Sequence, residues 1–196
     1  MFTGITQNVG SLTVIQQKNN QEMRLKVMTT DAFFKNVKLG DSIMLDGACL
    51  TVVNFSDYEA EFDIMIPTFQ TTTIRTYHVG QKINLEKAML ASERFDGHFV
   101  LGHVDGVARI IEQQQIEDTV FLTISPCNQK LMKQIVTKGS VSISGVSLTV
   151  ISATENSFQV GLIPLTRLET NLGDSDVGNE VNIETDILAK YLTKGE

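Results

Sequence analysis

The sequence predicts an all-β protein made of two similar domains in tandem, each a small closed barrel. Three observations carry that prediction: an internal repeat, short alternating segments punctuated by turn residues, and a composition typical of folded, soluble chains. The stretch Asp46-Gly47-Ala48-Cys49-Leu50-Thr51-Val52 recurs as Ser144-Gly145-Val146-Ser147-Leu148-Thr149-Val150, a step of 98 residues. The same step lays Met1 to Gly4 on Phe99 to Gly102, Val9 on Val107, Leu12 on Ile110, and Gly80 to Glu86 on Gly178 to Glu184. A repeat of this length is a domain and not a solenoid module.

With 196 residues, each half is large enough to hold its own core without disulfide support. An apolar fraction of 42% and a charged fraction of 20% exclude a disordered chain. The formal charge of −7 gives no support for a nucleic-acid partner, which requires clustered Lys and Arg. No apolar run reaches the roughly 18 residues of a membrane span. The opening Met-Phe-Thr-Gly has no basic region followed by an apolar stretch, so a cytoplasmic location is expected. Cys49 and Cys127 occupy unrelated repeat positions and are expected to be buried free thiols.

Taken in order, residues 8–18 and 23–27 alternate on either side of the polar turn Lys18-Asn19-Asn20-Gln21, a hairpin pattern. Thr30 to Val37 and its mate Asn128 to Ile135 read as a short helix or helical turn, with Thr30 or Asp31 and Asn128 as N-caps. Each is followed by a Gly-containing turn, a strand (42–45, 140–143), a second turn at Gly47 or Gly145, and a strand through Leu-Thr-Val. Further strands follow at 59–65 and 157–162, and at 82–85 and 180–183. Pro67 and Pro164 mark edges or turns, because proline has no ladder donor. Roughly six short strands per half suggest closure, which removes exposed sheet edges. The expected boundaries are 1–96 for the first barrel, 97–186 for the second and 187–196 for a short tail, in which Ile187 to Leu192 can form one or two helical turns.

The chemistry-bearing residues are few. His78, His98 and His103 match no zinc-binding spacing, so no metal is expected. In Gly97-His98-Phe-Val-Leu-Gly102-His103-Val-Asp105-Gly106, two histidines and an aspartate lie among three glycines, and this reads equally as turn capping or as proton transfer. Cys49 and Ser147 are repeat mates that can act as nucleophile and proton carrier, or as a small buried hydrophobe and a turn hydroxyl. Thr51, Thr149, Thr68 and Thr166 would suit a ligand rich in carbonyls and ring nitrogens, or strand packing. His103, Ser147 and Asp186 face Ile5, Cys49 and Ala88 in the repeat. That asymmetry implies two related pockets of which only the second carries a full polar set.

Met1 to Ile5, Gly47 to Val52, Asn84 to Met89, Gly97 to Gly106, Gly145 to Val150 and Leu162-Ile163-Pro164, read together, closely resemble the riboflavin synthase family over nearly the whole length. The resemblance implies tandem six-stranded Greek-key barrels with short helices. It implies dismutation of two molecules of 6,7-dimethyl-8-ribityllumazine to riboflavin and 5-amino-6-ribitylaminouracil, with no cofactor. It also implies a homotrimer with active sites between subunits, and association with lumazine synthase. An alternative on the same fold is a non-catalytic lumazine- or flavin-binding protein of the antenna kind.

Carried over residue by residue, the resemblance sets Ser42, Cys49, Thr51, Met65 and Thr68 around the first-barrel ligand. It sets His103, Lys138, Ser147, Thr149, Ile163, Thr166 and Asp186 around the second, with Phe2 near the shared site. His103 and Ser147 are expected to handle protons with Asp186 as their polar partner, and either Cys49 or a water is the nucleophile. Leu165 departs from the family, which has histidine there. Residues 187–196 stand where the family has a longer trimerisation helix.

Overall fold

The computed structural model describes residues 1–19 and 21–193. The turn residue Asn20 and tail residues 194–196 lie outside them. Strands β1 (Asn8–Gln17), β2 (Glu22–Met28), β3 (Ser42–Leu45), β4 (Ala48–Phe55), β5 (Glu59–Met65) and β6 (Lys82–Lys87) close into one barrel. Its hydrogen-bonded order is β1-β2-β5-β4-β3-β6. Strands β7 (Gly106–Ile116), β8 (Thr119–Pro126), β9 (Ser140–Ile143), β10 (Val146–Ala153), β11 (Phe158–Leu162) and β12 (Glu180–Thr185) repeat that order in a second closed barrel. All pairings are antiparallel.

Alternation explains the interior. On β5, Ala60, Phe62 and Ile64 point inward, and on β8 so do Val120, Leu122 and Ile124, giving each barrel its own apolar core. The bulges recur at matched places too, beside Leu12 and Ile110 and beside Val52 and Val150. They sharpen the bend that a six-stranded barrel needs. In the β3–β4 and β9–β10 hairpins, Asp46-Gly47 and Ser144-Gly145 have positive φ at both central residues, the turn whose twist matches flanking strands.

The short helices differ from expectation. Residues 31–36 form turns only, and the mate segment forms a 3-10 helix, Gln129–Gln134, capped by the Asn128 side chain on the Lys130 amide at 3.2 Å. Thr29, not Thr30 or Asp31, organises the first-barrel turn, its hydroxyl donating to the Asp31 carbonyl at 2.9 Å. Pro67 and Pro164 do more than end strands. They sit in the first turns of α1 (Ile66–Thr71) and α2 (Pro164–Glu169), where the missing N–H costs nothing. The tail does form a helix, α3 (Ile187–Thr193). Cys127 is exposed, which corrects the expectation of two buried thiols, and Cys49 is half-buried.

The barrels meet about a pseudo-twofold axis, through mated asparagines. Asn84 Nδ2 donates to the Ser144 carbonyl at 2.9 Å and its Oδ1 accepts from the Asn171 amide at 2.7 Å. Asn182 Nδ2 donates to the Asp46 carbonyl at 2.7 Å and its Oδ1 accepts from the Thr73 amide at 2.8 Å. Asp46, buried at this contact, accepts from Tyr77 Oη at 2.6 Å, the Asn84 amide at 2.8 Å and Asn171 Nδ2 at 2.9 Å.

Burial pushes the Asp46 carboxyl up to about 6, against the pull of those three donors. A folded-state pKa above the unfolded 3.8 means the stability linked to this group is fully present below 3.8 and is lost as pH rises through about 6. Asparagine can accept from the Asn84 and Asn171 donors and turn its own amide toward Tyr77. The unfolding free energy of Asp46→Asn relative to the unaltered chain is therefore expected to rise by about 3 kcal/mol between pH 3.5 and 7.5. Urea titrations at the two pH values measure that difference.

Candidate functional site

Two extended segments that precede the barrels exchange partners. Residues 2–4 and 98–100 run antiparallel, with the Phe2 amide donating to the Val100 carbonyl at 2.8 Å and the Val100 amide returning to Phe2 at 3.2 Å. The first segment leans on the second barrel, where the Ser147 amide donates to the Gly4 carbonyl at 2.7 Å. Its mate leans on the first barrel, where the Cys49 amide donates to the Gly102 carbonyl at 2.9 Å. Gly4 and Gly102 both have positive φ, and a Cβ on them would lie 2.7 Å from Ser147 Cβ and 2.5 Å from Cys49 Cβ. Neither contact leaves room for a side chain.

Each segment is tied to a buried carboxylate. Glu86 accepts from the Thr3 amide (2.6 Å), the Thr3 hydroxyl (2.8 Å) and the Gly4 amide (3.0 Å). Glu184 accepts from the amides of Leu101, Gly102 and His103 at 2.8, 2.9 and 3.0 Å. Burial raises both carboxyls above the usual range, while the donated hydrogen bonds favour the anion.

The two mated positions differ in polarity. Around Cys49, the residues Phe2, Met44, Val100 and Ala88 form an apolar cluster. At the mated positions in the second barrel stand Ser147, Ser142 and Asp186. His98 completes this polar set, its Nδ1 lying 2.7 Å from Ser147 Oγ. The His98 ring is buried and Nε2 has no partner among the described residues, nor has Ser142 Oγ. Burial lowers the His98 pKa, and the Asp186 charge acts the other way. The ring is thus a neutral imidazole at neutral pH, able to take a proton through the hydroxyl.

The Lumazine binding domain model matches residues 3–88 and again 101–186. The chain is therefore a member of the lumazine-binding, riboflavin synthase-like family. It is 43% identical over 195 residues to the riboflavin synthase of Photobacterium phosphoreum, covering 99% of this chain and 88% of that one. To the riboflavin synthase of Bacillus subtilis it is 38% identical over 192 residues, covering 98% and 88%. Among solved structures, LumP complexed with riboflavin superposes with a TM-score of 0.86 at 28% identity, covering 94% of this chain and 99% of LumP. LumP complexed with 6,7-dimethyl-8-ribityllumazine gives 0.83 at 27% identity, with the same coverage.

Within this family fold, the residues named from sequence fall into two groups. Ser42 and Thr51 are cross-strand neighbours on β3 and β4, two residues from Cys49, and Met65 and Thr68 lie at the end of β5 and on α1. Thr149 follows Ser147 on β10, with Ile163 and Thr166 at the start of α2. Lys138 holds a left-handed φ of +70° where its mate is Gly40, and its amide donates to the Val150 carbonyl at 2.8 Å. Asp186 caps α3, accepting from the Leu188 amide at 2.9 Å.

His103 follows Gly102, whose carbonyl holds Cys49, and its amide donates to Glu184. The side chain that partners Ser147 is His98. From sequence, His98 reads as a turn cap or proton carrier in the Gly97 to Gly106 run but is not paired with Ser147, since the repeat offers it no mate. A cavity of about 740 Å³ lies between the barrels elsewhere and contains none of the predicted residues. Its cations are already paired, Arg75 and Arg109 with Glu180 and Lys82 with Asp174.

The placement of Asp186 yields an expected outcome. Asp186→Asn removes the charge that raises the His98 pKa, so NMR titration of the His98 ring should move to lower pH than in the unaltered chain.

Proposed function

We propose that each barrel binds one ribityl-bearing lumazine or flavin ring, and that the chain catalyses the riboflavin synthase reaction. The observation that carries this reading is the His98–Ser147 pair, placed in the polar member of two otherwise matched pockets. Two molecules of 6,7-dimethyl-8-ribityllumazine react. One gives up ring carbons C6 and C7 with their methyl groups, and the other gains those four carbons to become riboflavin. Atoms and electrons balance between two identical reactants, with no outside oxidant.

The residues have defined work in such a step. The C7 methyl of bound lumazine is acidic because its anion delocalises over the ring, and the neutral His98 imidazole accepts the proton through Ser147. Lys138, set near the second-barrel ligand by the family resemblance, would supply a cation where negative charge develops. In the first barrel, Cys49 or a water positioned there adds to C7 of the second ring. Thr51 and Thr149 supply hydroxyls that donate and accept toward ring carbonyls and nitrogens. Met65 and Ile163 are 66% and 54% exposed beside the pockets, which a neighbouring chain's barrel would cover. A homotrimer that joins unlike barrels brings the two rings face to face, and proximity then does most of the work.

The complexes of LumP with riboflavin and with the lumazine favour a second reading, ring binding without turnover. Incubation with 6,7-dimethyl-8-ribityllumazine at neutral pH separates the two. Appearance of riboflavin absorbance with an equal amount of the pyrimidinedione supports the synthase, and saturable binding with unchanged lumazine supports the carrier. For the synthase, His98→Gln and Ser147→Ala are expected to lower kcat by about 100-fold or more while riboflavin affinity changes by less than about three-fold. Equal losses in rate and binding would reduce the pair to a binding role.

A further inference from the structure

We propose that the two buried glutamates act crosswise: Glu86 of the first barrel positions the Ser147 pocket of the second, and Glu184 of the second positions the Cys49 pocket of the first. The proposal deepens the reading above, in which these two pockets hold the rings.

The route is continuous in hydrogen bonds. Glu86 fixes Thr3 and Gly4 through three donors. The Gly4 carbonyl then holds the Ser147 amide at 2.7 Å, and the Thr3 carbonyl holds the His98 amide at 3.1 Å. One carboxylate of the first barrel thus sets the backbone of both members of the second-barrel pair. Glu184 fixes Leu101, Gly102 and His103, and the Gly102 carbonyl holds the Cys49 amide at 2.9 Å. The close approach of Gly4 to Ser147 and of Gly102 to Cys49 leaves no slack, so a shift in either segment displaces the residue behind it.

The carboxylate form matters at both places. Three donors converge on each group, and a carboxylate accepts all three. Glutamine is nearly isosteric, but its amide end turns a donor toward at least one of those N–H groups. A donor facing a donor in a buried site pushes the segment away. Glu86 and Glu184 are positioning residues in this scheme, since neither reaches the ring itself.

The test uses the full chain with Cys127→Ser, which leaves Cys49 as the sole thiol. Two readouts need no ligand: the rate of Cys49 alkylation by iodoacetamide and the NMR resonances of the His98 ring. Glu184→Gln is expected to change the alkylation rate by about five-fold or more and to move the His98 resonances clearly less than Glu86→Gln does. Glu86→Gln is expected to move the His98 resonances and leave the Cys49 rate within about two-fold. With riboflavin present, Glu184→Gln should raise the concentration that protects Cys49 by about ten-fold, and Glu86→Gln should not.

Each glutamate acting on its own barrel's pocket, or both acting on both pockets alike, would overturn the proposal. Should Glu86→Gln fail to fold, Thr3→Val removes the hydroxyl donor to Glu86, together with the exposed acceptor of the Ile5 amide, and keeps the Thr3 and Gly4 amide donors in place. It must move His98 and spare Cys49, and any other pattern counts against the scheme. Failure of riboflavin to protect Cys49 in the unsubstituted background would defeat the ligand reading of that pocket, while the ligand-free arms still judge the crosswise link.

Discussion

The exchange of the two leading segments is the constraint from which the rest of the architecture follows. Each segment is anchored by one edge to a buried carboxylate of its own barrel, yet the carbonyl of its glycine, Gly4 or Gly102, accepts from an amide of the other barrel. Buried backbone groups need partners, so neither barrel is complete alone. The asparagine contacts at Asn84 and Asn182 apply the same rule a second time, each bridging two backbone groups across the pseudo-twofold axis. The relative placement of the barrels is therefore held by directional bonds between main chain and buried side chains, more than by a continuous apolar interface.

Duplication gave two equivalent frameworks, and divergence then separated their chemistry. Where the first barrel has Met44, Cys49 and Ala88, the second has Ser142, Ser147 and Asp186, and Met44–Cys49 and Ser142–Ser147 keep the same cross-strand register. A local change from apolar to polar costs stability unless partners are present. His98 supplies one such partner, while its Nε2 and the Ser142 hydroxyl have none among the described residues. Functional sites are where local rules are most often broken. Lys138 holds a left-handed conformation where the other copy has glycine.

Much of this could be read from sequence because a repeat compares a chain with itself. Strand number, order of elements and the asymmetry at Ser147 and Asp186 all came from residues matched at a step of 98. The crossing of the segments could not be read, because it is made by main-chain groups of Gly4 and Gly102 that leave no trace in side-chain type. The pairing of His98 with Ser147 was not read for a related reason: His98 falls before the first residue of the opposing copy and has nothing to be compared with. The one-turn helices after Ile66 and Ile163 were missed because proline marks the start of a helix as readily as the end of a strand. Cys127 was misplaced because cysteine is usually buried, and only the chain path past Pro126 brings it to the surface.

The reciprocity of the two leading segments bears on how such a molecule can arise. Two separate copies of one barrel could satisfy the same bonds by trading their N-terminal arms, as in a domain-swapped dimer. Joining the copies through residues 88–97 turns that encounter into an intramolecular one, with an effective concentration set by the tether and no longer by the abundance of the protein. Once joined, the halves no longer had to be identical, and one could gain an imidazole and a hydroxyl while the other kept a thiol among apolar neighbours.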